Sequence, residues 1–255
     1  MPTCEDLRRV SATRYVTPLR EGGSLPGLFE ADDQGLYVVK FRRAGQGPRA
    51  LVAEVIAAEL ARSLGLAVPE LVRVEIDAAL GLAEPDPEIQ ELIVASAGEN
   101  LGLDFLPGAA TYSPAAGWVP SPELAADIVW LDALLTNMDR TAQNTNLLLW
   151  HDRLWLIDHG AALYLQHGGL RPLEQADQPF AQIDEHVLLP FAGAITAADQ
   201  RLAPQLGREQ LERVLARVPA DWFAGEPAAH YVDYLAQRLT APRVFVEEAE
   251  RARAA

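Results

Sequence analysis

Thr136-Asn137-Met138-Asp139-Arg140-Thr141-Ala142-Gln143-Asn144-Thr145-Asn146-Leu147-Leu148-Leu149-Trp150, followed by Leu154-Trp155-Leu156-Ile157-Asp158-His159-Gly160, is the densest polar cluster in the chain. What flanks it suggests how it folds. Ser121-Pro122-Glu123 offers an N-cap, a proline at the first helical position and an acid in the first turn. Leu124, Ile128, Leu131 and Leu135 then recur at helical spacing, so a helix is expected to run to about Thr136. Asn146 to Trp150 and Leu154 to Ile157 read as short strands turning at His151-Asp152-Arg153. Asp139 and Asn144 have four residues between them, and the hairpin folds Asp158 back beside their loop. Taken singly, Asp139, Asn144, Asn146 and Asp158 read as turn formers and caps. Their joint spacing suits phosphoryl transfer, where one carboxylate orients the nucleophile while an amide oxygen and a second carboxylate hold Mg²⁺.

Upstream, basic charge is carried by arginine everywhere except at Lys40, the only lysine. Lys40 falls in Leu36-Tyr37-Val38-Val39-Lys40-Phe41, a run of β-formers. Asp32-Asp33-Gln34-Gly35 before it has hairpin-turn chemistry, with a first strand over Leu25 to Glu30. Glu21-Gly22-Gly23-Ser24 precedes that strand as a short glycine-rich connection. Ala50 to Leu64 contains only good helix formers, carries Glu54 and Glu59, and stops at Gly65. Val68 to Ile76 and Glu91 to Ala95 read as further strands, giving an N-terminal α+β region of about a hundred residues. Leu106 to Pro122, dense in proline and glycine, reads as a boundary or a surface insertion. From Glu185 the pattern is helical, clearest over Gln205 to Arg217 and Ala228 to Leu239, and Val246 to Ala255 suits a solvated terminal helix.

Asp139-Arg140, three intervening residues and Asn144, then a hairpin, then Ile157-Asp158-His159-Gly160 resembles HipA-like kinases and, more distantly, phosphoinositide kinases. The Lys40 strand and Ala53-Glu54-Val55-Ile56-Ala57-Ala58-Glu59-Leu60-Ala61, continuing to Gly65-Leu66-Ala67-Val68-Pro69, resemble the same family, so the likeness covers roughly residues 18 to 165. It implies an α+β, bilobal, protein-kinase-like fold, with a β-rich N-lobe over 1–105 and a mainly helical C-lobe over 106–255. It implies an ATP- and Mg²⁺-dependent kinase acting on a hydroxyl of a protein Ser/Thr or of a small molecule. In that resemblance Lys40 pairs with the α and β phosphates and Glu54 is its ion-pair partner, with Glu59 as the competitor. Asp139 orients the acceptor hydroxyl, and Asn144 and Asp158 bind Mg²⁺, with Asn146 able to replace Asn144. Gly22, Gly23 and Ser24 cover the phosphates with backbone N–H groups, although Gly-Gly-Ser lacks the protein-kinase glycine pattern. Arg140 either stabilises charge in the loop or caps the helix before it. His159 stands where many kinases have phenylalanine. Glu99 to Leu106 lies where a hinge to the adenine is expected, with Leu101, Leu103 and Phe105 as possible ring contacts.

A formal net charge of −15 on 255 residues opposes docking on nucleic-acid phosphates or anionic membranes, so neither is an expected partner. Cys4 is the only cysteine, which excludes an intrachain disulfide or a thiolate metal cluster and fits a reducing cytoplasm. No continuous apolar run reads as a signal peptide or a membrane span. A His-Asp phosphohydrolase would need a ligand histidine upstream of His151, and none exists. The rival from another class is a catalytically silent kinase-shaped module that binds nucleotide or a partner protein.

Overall fold

The computed structural model describes residues 6–19, 25–45, 47–163 and 173–255. β1 (Arg8–Pro18), β2 (Gly27–Ala31), β3 (Leu36–Lys40), β4 (Leu71–Ile76) and β5 (Gly98–Asp104) close into a barrel in the order β1-β2-β3-β5-β4. Neighbours are antiparallel except β1 and β4, which run parallel with Arg8 opposite Val72. Alternation along β3 turns Tyr37 and Val39 into the barrel core and leaves Val38 and Lys40 on the other face, beside a cavity. Phe29, Val72 and Val74 complete the centre of that core. Gly102 is where the wall closes tightest: a Cβ there would lie 2.5 Å from a Val74 methyl and 2.9 Å from a Val72 methyl.

The hairpin, the first long helix and the later hairpin form where the sequence places them. α1 (Pro48–Ser63) starts with proline in its first turn and ends before Gly65, whose φ is +80°. Every residue from Leu51 to Ala61 is buried, so this helix has no solvent face in its middle turns. It packs on α5 (Arg208–Leu215) and on the 3₁₀ turn Ala220–Phe223, and shares one core with α3 (Pro122–Leu135). Two ion pairs fasten it to the C-terminal half: Arg49 to Glu226 at 2.6 Å and Arg217 to Glu59 at 2.9 Å.

One segment departs from the reading above. Glu91 to Ala95 is not a strand but the end of helix α2 (Pro87–Ala95). Apolar, β-branched Ile93 and Val94 suggest a strand, yet Asp86 caps the helix by accepting from Glu88 N at 3.1 Å, and Pro87 follows at the first turn. Ile89 and Ile93, four apart, then bury one face of it against the barrel core. β1 has no counterpart in the reading of the sequence at all.

β6 (Ala110–Thr111), β7 (Leu147–Trp150) and β8 (Arg153–Leu156) make a second small sheet in that order. The proline-rich stretch after β5 therefore crosses from the barrel to this sheet. α3 carries the cap expected of it, Ser121 Oγ accepting from Leu124 N at 3.2 Å. α4 (Ile195–Leu202), α6 (Ala228–Arg238) and α7 (Val244–Ala254) surround α3. α7 is less solvated than its charge spacing suggests, because Phe245, Val246 and Ala249 are buried and Glu250 accepts from Ile195 N at 2.7 Å. Among the described residues no helix is long and apolar enough to cross a membrane.

Candidate active site

The ammonium of Lys40 sits between two carboxylates. Nζ donates to Glu54 Oε2 and to Asp158 Oδ1, both at 2.7 Å, with Lys40 and Glu54 buried and Asp158 about a third exposed. Glu54, not Glu59, faces the lysine, since Glu59 pairs with Arg217. Burial works against the charged lysine, but Glu54 and Asp158 outweigh it and hold the ammonium pKa above its ordinary value. Burial likewise penalises the Glu54 carboxylate, yet Lys40 and then His159 bring its pKa down to about 2. Gly160 runs close beside the cluster, its missing Cβ lying 3.8 Å from both Glu54 Oε2 and Asp158 Oδ1.

Two strand ends and a loop bring the remaining groups in. Asp158 follows β8 with φ +54°, and Asn146 precedes β7 with φ +48°, a left-handed conformation that Asn and Asp tolerate better than most. Asp139 Oδ2 accepts from Asn144 Nδ2 at 2.9 Å and from Asn146 Nδ2 at 3.3 Å, so both candidate amides attach to the same carboxylate. Asn144 is exposed and Asn146 buried. A cavity of about 880 Å³ spans these parts, with Lys40, Asp158, Asn144 and Asn146 at one side. Leu103 and Phe105 line its wall, whereas Leu101 is fully buried in the core and does not face it. Leu101 alternates with neither: it shares the face of Leu103 along β5 but lies deeper, opposite Arg73. Gly22, Gly23 and Ser24 lie outside the described residues.

Beneath the loop is a node that the sequence reading missed. Asp132, fully buried in α3, accepts from Arg140 Nε at 2.6 Å and His186 Nε2 at 2.9 Å through Oδ2, and from Asn137 Nδ2 at 2.8 Å through Oδ1. Leu188 N donates to His186 Nδ1 at 3.1 Å, which assigns the imidazole proton to Nε2. Arg140 reaches onward, donating from Nη1 to the carbonyls of Asn146 and, at 3.4 Å, Ile157. One guanidinium thus joins α3, the polar loop and the residue before Asp158. Burial lowers the pKa of His186 despite Asp132; burial opposes the Asp132 carboxylate, which Arg140 and His186 nevertheless hold well below its ordinary pKa. Asp132 was hidden by its apolar neighbours in a helix read only for periodicity. A lone acid eight residues before Arg140 was the available signal, while nothing local marks His186.

A family model described as HipA-like kinase matches residues 13–242. Among solved structures, the Helicobacter pylori proinflammatory kinase CtkA superimposes with a TM-score of 0.53 at 14% identity, covering 94% of this chain and 97% of that one. The Golgi casein kinase gives a TM-score of 0.49 at 14% identity, covering 97% and 74%. At those identities the likeness to CtkA speaks for the fold alone. No curated protein sequence matches the chain.

Proposed function

Because the chain belongs to the HipA-like kinase family and is a kinase, we propose that it transfers the γ-phosphoryl group of Mg·ATP to a hydroxyl, that of a protein serine or threonine. The observation that carries this reading is the bridging of Glu54 and Asp158 by Lys40, at 2.7 Å on each side, in a cavity that also holds the Asn144 and Asn146 amides. The barrel and the helical half are read as two lobes with the nucleotide in the cavity between them.

The residues present suit magnesium. A partly exposed carboxylate and an exposed amide are hard oxygen donors, and among the described residues no three His, Cys, Asp or Glu side chains converge on one point. That set matches a cation that completes its shell with water and phosphate oxygens. Mg²⁺ held by Asp158 and Asn144 would neutralise negative charge on those oxygens. Lys40, anchored by Glu54, binds the α and β phosphates as a compact charge. Asp139 orients the acceptor hydroxyl: the two amides hold its Oδ2, and among the described residues Oδ1 makes no hydrogen bond. Arg140 acts by shaping the loop, since its charge is paired with Asp132 and its Nη1 donates to the carbonyls of Asn146 and Ile157 inside the fold. The chain's net charge of −15 disfavours an anionic phosphoinositide as acceptor.

The test is a thermal-shift titration with Mg·ATP, run with intact-mass analysis on wild type, Asp158→Ala and Asp139→Asn. Nucleotide binding raises the melting temperature by mass action. Wild type should shift and gain phosphate on itself or on an added protein acceptor. Asp158→Ala should shift less, and Asp139→Asn should bind near normally while turning over at least about a hundredfold more slowly. Equal loss of binding in both variants would overturn the roles, and no shift in wild type would overturn the reading.

A further inference from the structure

His159, next to Asp158 in the Ile157-Asp158-His159-Gly160 segment, has no role in the proposal above. It occupies the position that carries phenylalanine in Ile-Asp-Phe-Gly segments, where a ring needs no polar partner. The imidazole is 1% exposed, and neither ring nitrogen has a hydrogen-bond partner among the described residues. The other orphan nearby is Glu54 Oε1, equally buried and equally without a hydrogen bond. His159 Nδ1 lies 3.5 Å from that oxygen. Two sealed polar atoms left unpaired are each costly, and a closing movement of about half an ångström joins them. Hydrogen bonds at active sites are often long before substrate binds and tighten afterwards.

We propose that His159 is a positioning residue for the Lys40–Glu54 pair, donating its Nδ1–H to Glu54 Oε1 while Lys40 holds Oε2. The inference rests on the kinase reading in one respect, that Lys40 is the phosphate-binding cation. A glutamate held by one oxygen still rotates about its last torsion; held by both, it is fixed. That matters because Lys40 now divides itself between Glu54 and Asp158. With Asp158 engaged by a cation, Glu54 would be the remaining carboxylate anchor of the lysine. His159 then decides how rigidly that anchor stands.

His159 and His186 should therefore carry opposite tautomers, since the contacts of His186 place its proton on Nε2. Nitrogen-15 NMR on histidine-labelled full-length protein reads this directly among five histidines, with His159→Asn identifying the His159 signal. A proton on Nδ1 of His159 is expected, and an Nε2–H form would overturn the proposal. A second measurement compares ADP dissociation constants and kcat. His159→Asn keeps a donor at the place of Nδ1 and should hold ADP within about twofold of wild type. His159→Phe keeps the bulk without the donor and should weaken ADP by about tenfold, with the unliganded melting temperature little changed. Equal behaviour of the two variants would sink the idea. Should His159→Phe fail to fold, the tautomer decides alone. Should wild type bind no nucleotide, the kinase reading fails, and the tautomer still tests the His159–Glu54 contact.

Discussion

Asp132 and Arg140, eight residues apart and on either side of a helix end, form an ion pair from which water is wholly excluded, with Nε 2.6 Å from Oδ2. A buried pair of this kind offers little net stability over an apolar replacement, but breaking it strands a charge. Its use here is geometric. The arginine that Asp132 holds also grips the carbonyls of Asn146 and Ile157, the residues beside which the polar loop and the Asp158 segment turn.

Asp132→Asn should consequently cost about 3–5 kcal/mol, lowering the melting temperature by on the order of ten degrees, because Arg140 is left charged in a sealed interior. Differential scanning calorimetry measures it. An unchanged melting temperature would show that the three backbone and side-chain acceptors left to Arg140 are sufficient. Turnover should fall further than ADP affinity, since the loop that carries Asp139 loses its support.

Lys40 and Glu54 give a test of the same principle in the opposite sense. Lys40→Met leaves Glu54 in the core without its main counter-charge and should destabilise the chain by about 3 kcal/mol or more. Adding Glu54→Gln should restore much of that stability without restoring nucleotide binding. Urea unfolding of the two single variants and the double variant completes the cycle. Additive losses would mean that the pair is not coupled in the folded protein.

Acidity should weaken the fold through His186. Its folded-state pKa lies below the ordinary 6.5, burial being the main cause, so the unfolded chain takes up a proton first. The stabilisation is complete above about pH 6.5 and is lost as pH falls through and below that value. Glu54, with a folded pKa of about 2 against an ordinary 4.5, adds a second loss of stability in the window between those two values. Melting temperatures between pH 8 and 5 should decline, and His186→Gln, which keeps an N–H toward Asp132, should flatten the decline. A pH profile identical in that variant would remove His186 as its source.

Much of the site was legible because its residues are local to their motifs. Asp139, Asn144 and Asp158 lie within twenty residues of one another, and a sole lysine in a β-forming run is conspicuous in any chain. The choice of Glu54 over Glu59 came from the register of the family resemblance, and the structure turns Glu54 toward Lys40. β1 was not legible, because its eleven residues are mostly exposed and are held by pairing with β2 and with β4, the latter about sixty positions away. The helix over Glu91 to Ala95 was misread because its start signal, Asp86-Pro87, lies ahead of that run. Asp132 and His186 are joined across 54 positions by burial alone, which no local pattern encodes.

The seclusion of the single lysine also makes the chain its own conformational gauge. A protease that cuts only after lysine has one place to act, the Lys40–Phe41 bond, and both residues there are buried where the barrel wall ends. The folded chain should resist it; each molecule that opens there is cut once, into residues 1–40 and 41–255. When opening and closing are fast relative to cleavage, the rate of that one scission reports the equilibrium between the closed and open barrel.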